Sequence, residues 1–280
     1  MRVELSDLPE ISVPLPWQEQ YWGRFNQQLD SRSLPHALLV AGPEHTGKAQ
    51  LALALARRLL CAQPSGGLNC GQCHPCQLSA SGSHGDLCWL QPEEKSRVIK
   101  IDQVRQAVSF ANQTANFGTR KVVVLYPADT MNTNAANALL KALEEPAADT
   151  YLILACHRLH GLPATIRSRC QIVKLAAPTT ADSLSWLDTV TGQREQSEQL
   201  LSLAQGRPLL AARLFREDSA DVAAATRAAL AGILCGRMGV PEAAALLGDI
   251  DAEGFLSQLQ RELQHLLRSR GANTLRSREG

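Results

Sequence analysis

Strong net charge and long hydrophobic runs are both missing from this sequence. The formal net charge of the 280 residues is +1. No overall basic field attracts nucleic acid, although a basic patch at a subunit interface remains open. The most apolar run, Leu51–Leu60, is interrupted by Arg57 and Arg58 and is shorter than the roughly 18 residues of a membrane span. The first residues also lack the apolar core of a signal peptide. We therefore expect a soluble, cytoplasmic protein.

The composition is that of a protein with a substantial core, because 45% of the residues are hydrophobic and 20% are charged. Up to about residue 174, short apolar segments alternate with helical patterns, which predicts an α/β fold: a parallel sheet with helices on both faces. The predicted strands are Ala37–Ala41, Leu87–Leu90, Lys121–Leu125, Tyr151–Ala155 and Gln171–Lys174. The main predicted helices are Gln50–Cys61, Lys100–Asn112 and Ala135–Glu145.

The strand pattern stops after Lys174, and the remaining sequence is predicted to be helical. Residues 176–180 are interpreted as a linker, and Thr180 is predicted to cap a helix that runs to Leu187. We therefore divide the chain into an α/β domain over residues 1–174 and two helical parts over 175–208 and 209–280. The arginines in residues 268–280 are interpreted as part of a solvated tail rather than as contacts to DNA phosphates.

A glycine loop follows the first predicted strand. Gly42, Gly47 and Lys48 match the pattern G-x4-G-K-[ST], in which backbone amides hold phosphates at a helix N-terminus and the lysine reaches the outer phosphates. The next residue is Ala49, so the hydroxyl group that binds Mg²⁺ is missing. Nucleotide binding stays open, but the sequence favours a loop that persists as a fold element.

The end of the strand Lys121–Leu125 also lacks the residues for ATP hydrolysis. Active enzymes of this type place there an aspartate for Mg²⁺ and often a glutamate that orients water. This sequence has Tyr126 and Pro127 at those positions, and Asp129, three residues further on, cannot replace both. The sequence therefore predicts that any bound ATP is not hydrolysed.

Four of the eight cysteines form the pattern C-x8-C-x2-C-x2-C: Cys61, Cys70, Cys73 and Cys76. In a reducing compartment this spacing indicates a metal site rather than disulfides. Four thiolates leave no open position on a tetrahedral zinc ion, which predicts a structural site. The alternatives are that His74 replaces one ligand or that the four cysteines are free. The other four, Cys88, Cys156, Cys170 and Cys235, are interpreted as small core residues.

Two further groups of residues are given structural interpretations. Trp17, Trp22 and Phe25 are spaced for one helix face, and core packing is favoured over base stacking. His84-Gly85-Asp86 precedes a predicted strand, where a turn is favoured over a metal or catalytic site. Neither group is predicted to carry chemistry.

Taken together, these motifs resemble the clamp-loader branch of the AAA+ family. Tyr126-Pro127-Ala128-Asp129 stands at that family's acidic box, and the helix that follows it is matched closely by residues 135–146. Thr165-Ile166-Arg167-Ser168-Arg169-Cys170 matches the family's Ser-Arg-Cys motif, and the cysteine cluster lies where clamp loaders carry a zinc insert. The resemblance covers roughly residues 15 to 210.

The resemblance implies an architecture and a role for Arg169. The expected fold is an AAA+ nucleotide-binding-like domain with a zinc module, followed by a small helical lid domain and a shortened, collar-type helical domain for oligomerisation. In this family the arginine of Ser-Arg-Cys is a finger for ATP bound on the neighbouring subunit, where it faces the developing charge. The alternative is that Arg169 only pairs with a local carboxylate.

The resemblance also implies a function and partners. We expect a non-catalytic subunit of the bacterial DNA polymerase III clamp loader, with no polymerase or ATPase chemistry of its own. Its partners would be gamma/tau-like ATPase subunits and a delta-like subunit in a ring, with the sliding clamp and primer-template DNA reached through the complex, and no membrane. One alternative is an active gamma/tau-like ATPase, which Lys48 favours. Another is a free zinc-dependent nucleic-acid-binding protein, which the near-neutral charge opposes.

Overall fold

The chain divides into two compact units, Met1–Pro178 and Thr179–Gly280. The computed structural model describes residues 9–94, 96–118, 120–216, 219–247, 256 and 259–260. The division lies within the segment that the sequence interprets as a linker. The further division of the helical region at residue 208 stays a prediction, and the predicted tail over residues 268–280 lies outside the described residues.

The first unit is built on a parallel five-stranded sheet, which confirms the predicted α/β fold. Its strands are β1 (Ala37–Ala41), β2 (Leu87–Leu90), β3 (Lys121–Leu125), β4 (Thr150–Cys156) and β5 (Gln171–Lys174). The strand order is β2-β3-β4-β1-β5, so β4 lies between β1 and β3. The segments that follow these three strands therefore emerge at one edge, the carboxyl edge, where open α/β sheets bind ligands.

Helices cover both faces of this sheet, which explains why β1 and β3 are buried at every position. The helices of the first unit are α1 (Glu19–Asp30), α2 (Lys48–Leu60), α3 (His74–Ala80), α4 (Ile101–Ala111), α5 (Thr133–Glu144) and α6 (Ala164–Arg167). One core packs α1 and α2 on one face of the sheet through Phe25 and Leu55. The opposite core packs α4 and α5 through Val104 and Leu139.

Two helix starts differ from the predicted ones for local reasons. Helix α2 begins at Lys48, directly after the left-handed Gly47, rather than at Gln50. Helix α5 begins at Thr133 rather than Ala135 because the Asn132 side chain accepts a hydrogen bond of 2.8 Å from the Ala135 amide. The phosphate-loop lysine is therefore already the first helical residue.

The second unit contains α7 (Thr180–Thr191), α8 (Arg194–Leu203), α9 (Pro208–Arg216), α10 (Ser219–Leu234) and α11 (Val240–Leu247). Helix α7 is capped by Thr179, whose Oγ1 accepts from the Asp182 amide at 3.1 Å, and not by Thr180 as predicted. Leu187, Leu200 and Leu210 share one core, so α9 packs with α7 and α8 beyond residue 208.

The cysteines outside the metal pattern have different environments. Cys156 is buried, and Cys88 and Cys170 are half-buried against the core, but Cys235 is exposed. The prediction that Cys235 is a small core residue is therefore wrong, and the residue lies directly after the last residue of α10. Within the part of the chain that the structure describes, no helix is both long enough and apolar enough to cross a membrane.

Candidate functional site

The glycine loop joins β1 to α2 at the carboxyl edge of the sheet, as predicted. Lys48 is 2% exposed, and its Nζ donates a hydrogen bond to the carbonyl oxygen of Pro43 within the same loop. The Thr46 hydroxyl group donates to the same carbonyl at 2.8 Å. Burial lowers the pKa of Lys48 to about 8. The loop is therefore closed around its own lysine, whose ammonium group pairs with backbone oxygen.

Residues that precede α1 cover the other side of this loop. Trp17 Nε1 donates to the Thr46 carbonyl at 3.0 Å, and Gln18 Nε2 donates to the carbonyls of Thr46 and Gly47 at 3.0 and 2.9 Å. Trp22 and Phe25 are buried in the core, as predicted. Trp17 is not on their helix face, because it lies in the short 3-10 helix Pro16–Gln18.

Packing explains why both glycines of the G-x4-G-K pattern are glycine. A Cβ atom on Gly47 would lie 2.2 Å from Leu15 Cδ1, and the residue has a φ of +87°. A Cβ atom on Gly42 would lie 2.9 Å from the carbonyl oxygen of Leu175. Gly42, Gly47 and Lys48 therefore have the predicted placement, and the fold itself accounts for their residue types.

The residues after β3 are occupied by contacts within the protein. Tyr126 is 8% exposed, and its ring makes a T-shaped contact with the His157 ring, with centroids 5.4 Å apart. The Asp129 carboxylate accepts hydrogen bonds from the backbone amides of His157 and Arg158 at 3.0 and 3.1 Å. Its side chain is 3% exposed and also pairs with Arg158. Asp129 therefore fixes the segment that follows β4.

Arg169 lies beyond the short helix α6, and its side chain is 34% exposed. Its Nε donates to Glu144 at 2.7 Å, its Nη2 pairs with the same carboxylate, and its Nη1 donates to the Thr165 carbonyl at 3.0 Å. Glu144 is the last residue of α5, where a negative charge opposes the helix dipole and a cation is favourable. The guanidinium group is thus held in one orientation at the surface, paired with a local carboxylate.

The structure brings the four predicted metal ligands together. The sulfur atoms of Cys61, Cys70, Cys73 and Cys76 all lie within 4.8 Å of one another. The Cys61–Cys73 and Cys70–Cys76 pairs are each 3.9 Å apart, close to the sulfur separation of about 3.8 Å that a Zn–S bond of about 2.3 Å gives in a tetrahedron. The donor set therefore fits a tetrahedral metal ion. His74 is not in this group, and its ring contacts Phe117 instead.

Backbone and side-chain donors surround these sulfur atoms. The Cys70 amide donates to Cys61 Sγ at 3.3 Å, and the Cys73 amide donates to Cys70 Sγ at 3.3 Å. Hydrogen bonds from the amides of Cys73 and Gln72 lower the pKa of Cys70 to about 6. Burial raises the pKa of Cys61 to about 12 and also raises that of Cys76, so the donors favour the metal-binding thiolate form at Cys70, whereas Cys61 and Cys76 need a bound cation to favour it.

Sequence patterns do not identify four residues whose side chains bond to the phosphate loop, to the surroundings of the cysteine cluster or to Arg169. They are Gln18, Arg57, Asn69 and Glu144. Arg57 could have been found, because it lies in the last turn of α2, four residues before the predicted ligand Cys61 that follows the helix. Asn69 directly precedes Cys70, but an isolated asparagine gives no signal of which groups it will bond.

Comparisons with known proteins agree on one family. The sequence model for "DNA polymerase III, delta subunit" matches residues 17–179. DNA polymerase III subunit delta' of Pseudomonas aeruginosa is 46% identical over 214 residues, which are 74% of this chain and 64% of that protein. The subunit of the same name from Escherichia coli is 40% identical over 66% of this chain and 55% of that protein. The matches thus span less than two thirds of these relatives' length.

One solved structure supports the same fold. A DNA polymerase III gamma subunit-related protein from Thermotoga maritima superimposes with a TM-score of 0.52 at 21% sequence identity. The superposition covers 86% of this chain and 77% of that one. At this identity the similarity is evidence for the AAA+-type fold and not for a shared activity.

Proposed function

This chain belongs to the DNA polymerase III delta' family, and from that membership we propose a specific role for it in a clamp loader. It hydrolyses no ATP itself, and it supplies Arg169 as an arginine finger to ATP bound on a neighbouring ATPase subunit. A clamp loader acts during DNA replication, which takes place in the cytoplasm of a bacterium. We therefore expect the chain to act there.

The observation that carries the non-catalytic part is the arrangement after β3. Tyr126 and Pro127 occupy the two positions where hydrolysis needs carboxylates, and neither side chain binds Mg²⁺ or activates water. Asp129 is the acidic group nearest to them along the chain, and two backbone amides already use its carboxylate. Ala49 adds no hydroxyl group for the metal. ATP bound at Lys48 would therefore lack the groups that drive its cleavage.

The position of Arg169 supports the finger part of the proposal. A finger must reach out of its own subunit, and Arg169 is partly exposed just beyond the short helix α6, with its guanidinium group held by Glu144 and Thr165. Holding the group in advance lowers the entropy cost of placing it against a phosphate. The partners that we propose are gamma/tau-like ATPase subunits and a delta-like subunit in a ring, which reaches the clamp and primer-template DNA.

We further propose that the cysteine cluster holds a structural zinc ion. Four sulfur ligands complete a tetrahedral shell, so no position remains for water or substrate. Zinc in such a site contributes folding free energy and no redox chemistry. Cys61, Cys70, Cys73 and Cys76 would be its ligands, and the chain would need no other cofactor.

The finger assignment is tested by Arg169→Ala in the reassembled loader. We expect ATP turnover and clamp loading to fall, with a loss of up to about 10³-fold at the ATP site that the finger serves. The Arg105→Ala variant is a matched control, because Arg105 is also an exposed, ion-paired arginine of the first unit. The finger assignment would be contradicted if Arg169→Ala left ATP turnover unchanged and lowered the melting temperature as much as Glu144→Ala does. Arg169 would then serve only as the partner of Glu144 in a local ion pair.

The second candidate is an active gamma/tau-like ATPase. Its support is the Gly47-Lys48 pair at the start of α2, where a helix N-terminus and a lysine could hold phosphates. This candidate predicts turnover by the isolated chain. Restoring the missing groups with Ala49→Thr, Tyr126→Asp and Pro127→Glu separates the two, because our proposal expects hydrolysis only after restoration.

A further inference from the structure

A single segment of the chain contacts both the cysteine cluster and the phosphate loop. We define the strap as residues 9–18, which precede α1. Its first half lies against residues beside the cluster, and its second half contributes the Trp17 and Gln18 contacts to the loop. The sequence gives no indication of this, because the two sites flank α2 at opposite ends.

Asn69 joins the strap to a metal ligand. Its Nδ2 donates to the carbonyl of Glu10 at 2.8 Å and to Cys76 Sγ at 3.6 Å, and its Oδ1 accepts from the Ser12 amide at 3.0 Å. Asn69 is 2% exposed. Groups that hydrogen-bond to metal ligands orient those ligands and are oriented by them. The position of this amide group is therefore tied to the position of Cys76.

Arg57 forms the second attachment of the strap. The side chain is 1% exposed, and its guanidinium group donates to the carbonyl of Pro9, to Ser12 Oγ at 2.9 Å, and to Ser79 Oγ and O at 2.9 and 3.1 Å. All of these acceptors are neutral oxygens. Burial lowers the pKa of Arg57, and the negative charge of Cys76 acts in the opposite direction. Ser79 lies on α3, the helix that also contains Cys76 and that Cys73 caps, so Arg57 connects the strap to the element that carries two of the cysteines.

At its other end the strap fixes the loop. Gln18 is fully buried, and besides its two bonds to loop carbonyls its Oε1 accepts from the Leu15 amide at 3.1 Å. The Leu15 side chain lies directly over Gly47, as the 2.2 Å approach to a Cβ atom there demonstrates. Withdrawal of the strap would expose Gly47 and remove the side-chain donors from the carbonyls of Thr46 and Gly47, although the Gly47 carbonyl would keep its bond from the Leu51 amide.

We propose that the metal-loaded cysteine cluster holds the strap through Asn69 and Arg57, and that the strap in turn holds the phosphate loop in its closed form. Loss of the metal would release residues 9–18 and then loosen residues 42–47, while the sheet stays folded. This proposal rests on the proposed metal site but is independent of the arginine finger. The loop lacks the hydroxyl group that would bind Mg²⁺, yet it has a defined shape. In this proposal, contacts from the strap hold the loop in place of the contacts that a nucleotide would make.

The test is hydrogen–deuterium exchange on the full chain, with bound zinc measured in each sample. In Asn69→Ala with zinc still bound, we expect the Ser12 amide to exchange about tenfold faster or more, because its acceptor is gone. We also expect faster exchange in residues 42–47 and unchanged protection in β3. Removal of zinc from the parent protein should give the same local pattern. The matched control is Asn134→Ala, a substitution at an exposed asparagine. It should leave the exchange rates of residues 9–18 and 42–47 unchanged.

Three results would overturn the proposal. The first is faster exchange at Ser12 in Asn69→Ala with residues 42–47 still as protected as in the parent protein. The second is zinc removal that leaves residues 9–18 protected. The third is a purified chain that contains no stoichiometric metal, which would also remove the metal part of the proposed function. The finger would remain testable through Arg169→Ala, so the two failures are distinguishable.

Discussion

Lys48 is a buried lysine whose described hydrogen bond goes to a neutral carbonyl oxygen. Removing an ammonium group from water is costly, and burial is the main cause that lowers the Lys48 pKa to about 8. Burial therefore shifts the protonation equilibrium of Lys48 toward the neutral form relative to a lysine in water, and a pKa of about 8 leaves the group mainly charged at pH 7. Lys48 therefore occupies the lysine position of the G-x4-G-K pattern although its burial lowers the free energy of unfolding.

This cost gives a pH-dependent prediction. Because the folded pKa of Lys48 lies below the usual value of about 10.4, the unfolded chain binds more protons between about pH 8 and 10. The free energy of unfolding of the parent should therefore rise in that window relative to Lys48→Met, by about 1–3 kcal/mol. Denaturant unfolding of both proteins at several pH values measures the difference, and the cysteines, present in both, cancel. Parallel pH profiles would contradict the lowered pKa.

At the scale of elements, the sequence predicts the β-sheet better than the contacts around it. The apolar runs of β1, β3 and β5 are continuous or bounded by turn residues, and their predicted limits coincide with the observed ones. The caps were harder to predict: Thr179 rather than Thr180 caps α7, since two adjacent threonines offer equivalent side chains and only the backbone geometry distinguishes them. The spacing predicts that Trp17 shares a helix face with Trp22 and Phe25, but Pro16 begins a separate 3-10 helix that contains Trp17.

The candidate site follows the same division. Cysteine spacing alone predicts the cluster, because thiolate ligands on a short loop have few ways to assemble. The contacts of Asn69, Arg57 and Gln18 depend on long-range packing of residues 9–18, for which periodicity carries no information. Glu144 lies within the segment 135–146 that resembles the family, but its partner Arg169 lies 25 residues away along the chain.

The effect of removing one ligand from the cysteine cluster can be predicted. Cys73 is the N-cap residue of α3, and Cys61 follows the last residue of α2, so a metal ion would link two helix ends. We expect Cys73→Ser to lose bound zinc and to lower the melting temperature by at least about 5 °C. Metal analysis and calorimetry measure both, and Cys235→Ser, at an exposed cysteine outside the cluster, is the control. Retained zinc with an unchanged melting curve would mean that other ligands hold the metal.

At the scale of the whole molecule, an AAA+-type fold is combined with Ala49, Tyr126 and Pro127 at the positions where ATP hydrolysis needs a hydroxyl group and two carboxylates. The fold, the loop and the order of the strands are those of a nucleotide-binding protein, while the carboxyl edge has contacts that serve the fold itself. Tyr126 and Asp129 are engaged by the segment that follows β4, and Lys48 by its own loop. In the role that we propose, the chain would be a non-catalytic member of a larger assembly, to which it would contribute the surface arginine Arg169.

The most direct test of this account is ATP turnover by the purified chain with Mg²⁺, alone and with primed DNA, measured beside a Lys48→Ala variant. We predict no turnover above that of the variant under either condition. Turnover that the Lys48→Ala substitution abolishes would contradict the account and would make this chain a motor subunit.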